Sequence, residues 1–187
     1  YRSSSFDPIP LIISPEEWST LEKGLQQRAH LLNLLAIDLY GSQRIIQEKR
    51  IPSEIVFANP AYIRSAMGYS PPRGFWLHRF AADLARQSNG EWIVLSDRTQ
   101  VPAGSGYTLE NRIVSNRLYP GLIQNHKIHR LASFFKTFLN TIISLLHPSR
   151  QEDPQIVILS CGPVHESYFE NSYLAKYLGI TLVEDAD

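Results

Sequence analysis

An apolar run that breaks into a glycine-rich loop and reopens as a helix constrains this chain more than any other feature. Trp92-Ile93-Val94-Leu95 is a β-type run. Pro102-Ala103-Gly104-Ser105-Gly106 follows as a loop, and Thr108-Leu109-Glu110-Asn111-Arg112 reads as a polar helix start. Strand, glycine loop and helix N-terminus in that order present backbone N–H groups to an anion such as a phosphate. The loop is not a Walker A loop, because no Gly-Lys-Ser/Thr follows, and its glycines lack the dinucleotide-binding spacing. The expectation is an anion-binding loop, with an ordinary connection as the alternative.

The strand also has a partner upstream. Phe75 to Ala85 and Glu91 to Asp97 flank Ser88-Asn89-Gly90, and Asn-Gly between two apolar runs is a strong hairpin signal. With a two-residue turn, Ser88 pairs with Glu91, Asp83 faces Ser96, and Ala81 faces Arg98. Arg79, Asp83, Ser96 and Arg98 then share one face. With a three-residue loop and Gly90 in a bulge, Asp97 faces Ala81 instead. The residues alone leave both registers open. Trp76 and Trp92 are expected to pack in the hairpin core.

Elsewhere the punctuation is clear. Ser14-Pro15-Glu16-Glu17 carries a capping box with proline at the first helical position. Trp18, Leu21, Leu25, Leu32, Leu35 and Leu39 continue it as a helical stripe that Gly41 stops, with Gln26, Gln27 and Arg28 on the wet side. A shorter helix is expected from Ser42 to about Lys49, and another from Asn59-Pro60 to about Met67. Ser133 to Leu146 is amphipathic and ends before Pro148. Ser149 to Pro154 reads as a charged linker, giving domains of 1–150 and 151–187. Beyond it, Ile156 to Leu159, Tyr168 to Leu178 and Ile180 to Val183 form one βαβ unit with a parallel sheet. Gly162, Pro163 and His165 lie just past the first of these strands, where open α/β sheets bind ligands. Cys161 beside them is expected to be a small buried residue. His126 and His129, placed on one helical face, are a weak metal pair without a third ligand.

Composition narrows the function classes. Lys+Arg and Asp+Glu are 18 each, so no basic field attracts nucleic acid. The single cysteine excludes a disulfide framework and a cysteine-rich zinc site, which fits a reducing, cytoplasmic setting. Leu131 to Leu146, the best apolar run, is broken by Lys136, Asn140 and Ser144, so no membrane span is expected. The chain opens at Tyr1 and stops on Glu184-Asp185-Ala186-Asp187, and reads as a piece of a longer protein.

Val94 to Arg112, VLSDRTQVPAGSGYTLENR, resembles the signature of circularly permuted ATP-grasp proteins, the relatives of glutathionylspermidine synthase. Phe6-Asp7-Pro8-Ile9-Pro10, Phe57-Ala58-Asn59-Pro60, Trp76-Leu77-His78, and Gly162-Pro163 with Tyr168-Phe169-Glu170 agree in order. The resemblance implies an α+β fold with a hairpin-containing lobe and a C-terminal Rossmann-like βαβ unit. It implies ATP and Mg2+ as cofactors. It also implies a ligase that activates a peptide-like carboxylate as an acyl phosphate, for an amine or thiol to displace phosphate. The nucleotide-clamping strands are then expected beyond Asp187, in the remainder of the longer chain.

Residue by residue, the resemblance favours the first hairpin register. It places Asp83 at a magnesium-binding position, with Ser96 and Arg98 where relatives carry the Glu and Asn of a Glu-x-Asn motif. A hydroxyl is a weak magnesium ligand and a guanidinium is none. Arg98 therefore either supplies charge to a phosphate, with Arg79 beside it, or pairs with Asp83 in place of the metal. Asp97, Gly104, Ser105, Gly106, Glu110, Asn111 and Arg112 are implied on the nucleotide side. Gly162, Pro163 and His165 are implied on the substrate side, although relatives usually read Gly-Pro-Tyr-Asn there. A catalytically degenerate nucleotide-binding or scaffold domain is the rival expectation.

Overall fold

The capping box works as the sequence predicts. Ser14 Oγ accepts the Glu17 backbone N–H at 3.2 Å, and Glu17 Oε2 accepts that of Ser14 at 3.0 Å, opening α1 (Pro15–Tyr40). Gly41 ends it where a Cβ would lie 2.7 Å from the Ile37 carbonyl oxygen, so only glycine fits without a shift. The molecule is a computed structural model that describes residues 7–126, 128–146 and 154–184. Its contacts divide it into two units: Ile13–Pro102, and Ala103 onward together with the segment before Ile13. The expected boundary at 150/151 lies outside the described residues; helix and βαβ on either side of it fall into one unit.

In the first unit, α2 (Arg44–Gln47) and α3 (Ser53–Phe57) follow α1. Asp38 starts α2 by accepting the backbone N–H groups of Arg44 and Ile45, both at 3.0 Å, and the Ser42 hydroxyl at 2.9 Å. The helix expected from Asn59-Pro60 is absent. Asn59 Oδ1 accepts the Ala61 N–H at 2.9 Å, closing a local turn, and only a 3-10 turn at Arg64–Ala66 follows. The first hairpin strand is shorter than expected: β1 is Ala81–Arg86, and β2 is Trp92–Arg98. Before β1, buried Asn33 of α1 accepts the N–H groups of Trp76 at 2.9 Å and Leu77 at 3.1 Å, which takes that segment out of the ladder. Trp76 accordingly stacks on Tyr40, centroids 4.5 Å apart, rather than packing in the hairpin. Trp92 lies under the Arg86 guanidinium at 5.9 Å.

The hairpin combines both expected registers. The loop has three residues: Gln87 N–H donates to the Glu91 carbonyl at 2.8 Å, and Gly90 has φ +88°. Near the turn Arg86 pairs with Trp92 and Leu84 with Val94; past Asp83 the register shifts by one, with Asp83 opposite Ser96 and Ala81 opposite Arg98. Leu95 is the extra residue of this β-bulge.

The second unit holds α4 (Ser105–Leu118), α5 (Pro120–Asn125) and α6 (Ala132–Ser144). Strands β3 (Val157–Ser160) and β4 (Thr181–Glu184) follow, with α7 (Tyr168–Leu178) between them. β3 and β4 pair in parallel around the α7 crossover, as the sequence predicts, and Gly179 closes α7 at φ +68°. Leu109 of α4, Phe135 of α6 and Leu174 of α7 form the buried centre, with Ile158 of β3 and Tyr173 against it. Burying each such side chain is worth about 1.5–3 kcal/mol. The mix of helices with small sheets is the expected α+β class. No helix among the described residues is long and apolar enough to cross a membrane.

Candidate functional site

The hairpin end carries a charged cluster. Asp83 Oδ2 accepts the Ser96 hydroxyl, and Arg98 Nε and Nη2 at 3.0 Å each. The Ser96 and then the Arg98 hydrogen bonds hold the Asp83 carboxyl below its usual range. The bulge creates this cluster, since it brings Ser96 opposite Asp83 and Arg98 onto the diagonal.

The alternation of the strand sends Asp97 the other way. Its carboxylate is gripped by Arg28 of α1 through two parallel bonds, Nε–Oδ1 at 2.6 Å and Nη2–Oδ2 at 2.8 Å. This fork holds the Asp97 carboxyl low and raises the Arg28 guanidinium. Arg28 is exposed on the wet side of α1 as expected and there takes on the Asp97 carboxylate, which is thus engaged by an arginine. Glu17 and Arg86, 2.7 Å apart, make a second tie between α1 and the hairpin. Arg79, half-buried just before β1, lies in this unit and makes interactions of its own.

In the second unit, the glycine loop and the helix that follows it appear with an anion already in place. Glu170 of α7 is only 3% exposed. Its carboxylate accepts the Gly104 N–H at 2.8 Å to each oxygen, the Gly106 N–H at 3.0 Å and the Ser105 hydroxyl at 3.3 Å. The loop amides expected to face a ligand phosphate are thus turned onto an internal carboxylate. The helix also begins earlier than expected, at Ser105 rather than Thr108, with Gly104 at φ +112° as its cap. Farther along α4, Glu110 reaches the Tyr173 hydroxyl; burial first and this carboxylate second push the Tyr173 phenol up. Asn111 is exposed. Arg112 is half-buried, and among the described residues its side chain makes no hydrogen bond or ion pair.

The turn after β3 lies at the carboxyl end of the parallel pair, as expected. Gly162 has φ +85° beside the Glu184 carboxylate; Pro163 and His165 are exposed, and His165 Nδ1 bonds the Ser167 hydroxyl at 2.7 Å. Cys161 is exposed rather than buried, because it follows the strand into the turn. His126 ends α5 in extended backbone, so His126 and His129 do not share a helical face.

A sequence comparison matches residues 10–187 to the family described as circularly permuted ATP-grasp type 2. The chain belongs to that family. The uncharacterized protein sll0335 of Synechocystis sp. is 39% identical over 181 residues, spanning 97% of this chain and 37% of its own length. The uncharacterized protein Rv2567 of Mycobacterium tuberculosis is 39% identical over 181 residues, 97% of this chain and 20% of its own. The uncharacterized protein ML0605 of Mycobacterium leprae is 33% identical over 186 residues, 100% of this chain and 33% of its own. The chain therefore spans between a fifth and little more than a third of these ATP-grasp relatives.

Magnesium, which ATP-grasp proteins generally bind with ATP, does not fit the expected position here. The Asp83 oxygen that would face it carries a guanidinium, and no group of three His, Cys, Asp or Glu side chains among the described residues is arranged to hold a metal. The donors of the ATP-grasp loop do fit an anion, since they hold one. Glu170 was missed as part of this site, although it stands in the Tyr168-Phe169-Glu170 motif. Arg28 had no sequence signal at all.

Proposed function

We propose that this chain is part of an ATP-dependent ligase, cytoplasmic and related to glutathionylspermidine synthase, that joins a peptide-like carboxylate to an amine. Membership of the ATP-grasp family across residues 10–187 is the observation that carries the reading. In this chemistry a carboxylate oxygen attacks the terminal phosphorus of ATP and ADP leaves. The amine then attacks the acyl carbon, and inorganic phosphate leaves with the acyl oxygen. Both steps gather negative charge on phosphate oxygens, which a protein meets with fixed cations and positioned donors. Arg112 is our first choice for phosphate, because its guanidinium has no partner among the described residues. Arg98 and Arg79 are the second cationic group, and Glu110 and Asn111 the nucleotide-side polar pair. Gly162, Pro163 and His165 are proposed to meet the carboxylate substrate. The remainder of the longer chain supplies the second lobe.

The test is calorimetric ATP binding to the full-length protein with and without magnesium, for wild type, Arg112→Ala and Arg98→Ala. Losing a charged hydrogen bond to phosphate costs about 1.5–3 kcal/mol, so Arg112→Ala is expected to weaken ATP by roughly ten- to a hundredfold. Unchanged affinity in both variants removes these arginines from the reading. The cluster Asp83–Ser96–Arg98 favours a second reading, a nucleotide-binding or scaffold domain that has lost its metal position. Magnesium-dependent ATP hydrolysis by the full-length protein counts against that one.

A further inference from the structure

Glu170 is a carboxylate buried without a charged donor among the described residues: its partners there are two backbone N–H groups and a hydroxyl. Their placement explains why it is there. A helix leaves its first backbone N–H groups without internal partners. In α1 the local box Ser14–Glu17 serves them, but α4 starts at Gly104, which has no side chain to do so. Glu170 takes over both halves of that task from another helix. It accepts the N–H of the cap residue Gly104 itself and that of Gly106 inside the first turn. Its negative charge also sits at the positive end of α4.

The glycines are cut to this occupant. A Cβ on Gly106 would lie 2.7 Å from Glu170 Cγ and 3.3 Å from the Glu170 carbonyl oxygen, while Gly104 at φ +112° adopts backbone that other residues resist. Glu170 itself stands in the first turn of α7, directly after the Gly162–His165 turn. One side chain thus ties the helix behind that turn to the glycine loop.

We propose that Glu170 is a positioning residue. Its carboxylate permanently fills the anion seat of the loop and sets the start of α4, so that phosphate is met by α4 side chains and not by the loop amides. This rests on the ligase reading for the phosphate, but not for the seat. Arg112 stands two turns along the helix whose start Glu170 fixes, so a loosened start displaces it.

The experiment uses the full-length protein as wild type, Glu170→Ala and Glu170→Gln, at matched ionic strength in sodium chloride or sodium formate. Thermal unfolding reads the seat without any nucleotide. Glu170→Ala is expected to melt lower in chloride and to recover part of the loss in formate, whose carboxylate fits the vacated donors, while wild type ignores the choice of salt. Should Glu170→Ala not fold, Glu170→Gln keeps the shape but turns an amide donor toward the Gly104 N–H in place of one carboxylate oxygen, and is expected to melt lower than wild type. A Glu170→Ala protein with no formate response, or a Glu170→Gln protein as stable as wild type, overturns the seat. ATP calorimetry on the same samples reads the positioning. Glu170→Ala is expected to bind roughly tenfold more weakly, the scale on which supporting contacts act, with recovery in formate. Tighter ATP binding by Glu170→Ala, abolished by formate, means that phosphate takes the seat and overturns the proposal. Formate rescue of melting in Glu170→Ala, beside a wild type that binds no ATP, leaves the seat standing and removes the ligase reading alone.

Discussion

Two helices in this chain begin in opposite ways. α1 is started by residues that are neighbours in sequence, Ser14 and Glu17, each bonding the other's backbone. α4 is started by Glu170, which lies 64 to 66 residues from the loop groups it accepts. The first arrangement is half-exposed, local and replaceable by water. The second is buried, shut off from the solvent that could replace the carboxylate. A helix start that the chain can make locally is a matter of propensity. One that waits for a remote carboxylate forms only when α7 has docked, so its order reports tertiary structure.

The largest expected effect breaks the comparison if it is missing. Glu170→Ala leaves buried donors without a partner, at about 1–3 kcal/mol for each such group. Urea unfolding of the full-length protein is expected to show a total loss of about 3 kcal/mol or more. A loss no larger than that of Ser14→Ala would make the two helix starts equivalent. Gly106→Ala comes next. Its new methyl meets Glu170 Cγ, and overpacking of this kind costs about 1–3 kcal/mol. Combined with Glu170→Ala, its cost is expected to shrink, because the two residues share one contact; strict additivity would separate them. Ser14→Ala is expected to cost about 1 kcal/mol, the usual worth of an N-cap.

The smallest effect concerns the exposed ion pairs of the Ile13–Pro102 unit. Asp97, Asp83 and Asp38 all have carboxyls held below their usual value when folded: by the Arg28 fork, by the Ser96 and Arg98 bonds, and by the Ile45 N–H with its neighbours. Groups lowered in this way stabilise the fold above their unfolded value of about 4, and the contribution is lost as pH falls through the folded value. Urea midpoints followed downward from about pH 4 are therefore expected to decline less steeply for Asp97→Asn than for wild type. The difference is expected to be small and to shrink in concentrated salt, as for any exposed pair. An equally steep decline would show that the fork contributes nothing.

What the sequence made legible follows the same division. The capping box of α1, the glycine stop of α7 and the parallel β3–β4 pair all rest on residues close together in the chain, and all are present as expected. So is the glycine loop opening into a helix at Gly104. The identity of the anion in it was not legible, because a loop that attracts phosphate attracts a carboxylate equally well and nothing nearby names Glu170. The helix expected after Asn59-Pro60 failed for a local reason, the Asn59 side chain closing its own turn. The partner of Asp97 was hidden because an arginine on the polar side of a helix has no periodic signature. The hairpin defeated a single answer, since each of its two ends obeys a different register.

That last feature has a consequence for how this chain can vary. Without Leu95 as an uncounted residue, Asp83 would stand across from Leu95 and Ala81 across from Asp97, the alternation of β2 being carried straight on from the turn. The bulge acts as a phase slip that lets the turn and the charged end keep separate counts. Removing Leu95 would leave all six cross-strand partnerships as they are, and change only the bend between them. The loop at Ser88–Gly90 is thereby insulated: the one-residue offset between the turn and the end that carries Asp83, Ser96 and Arg98 is absorbed at Leu95, not at the tip.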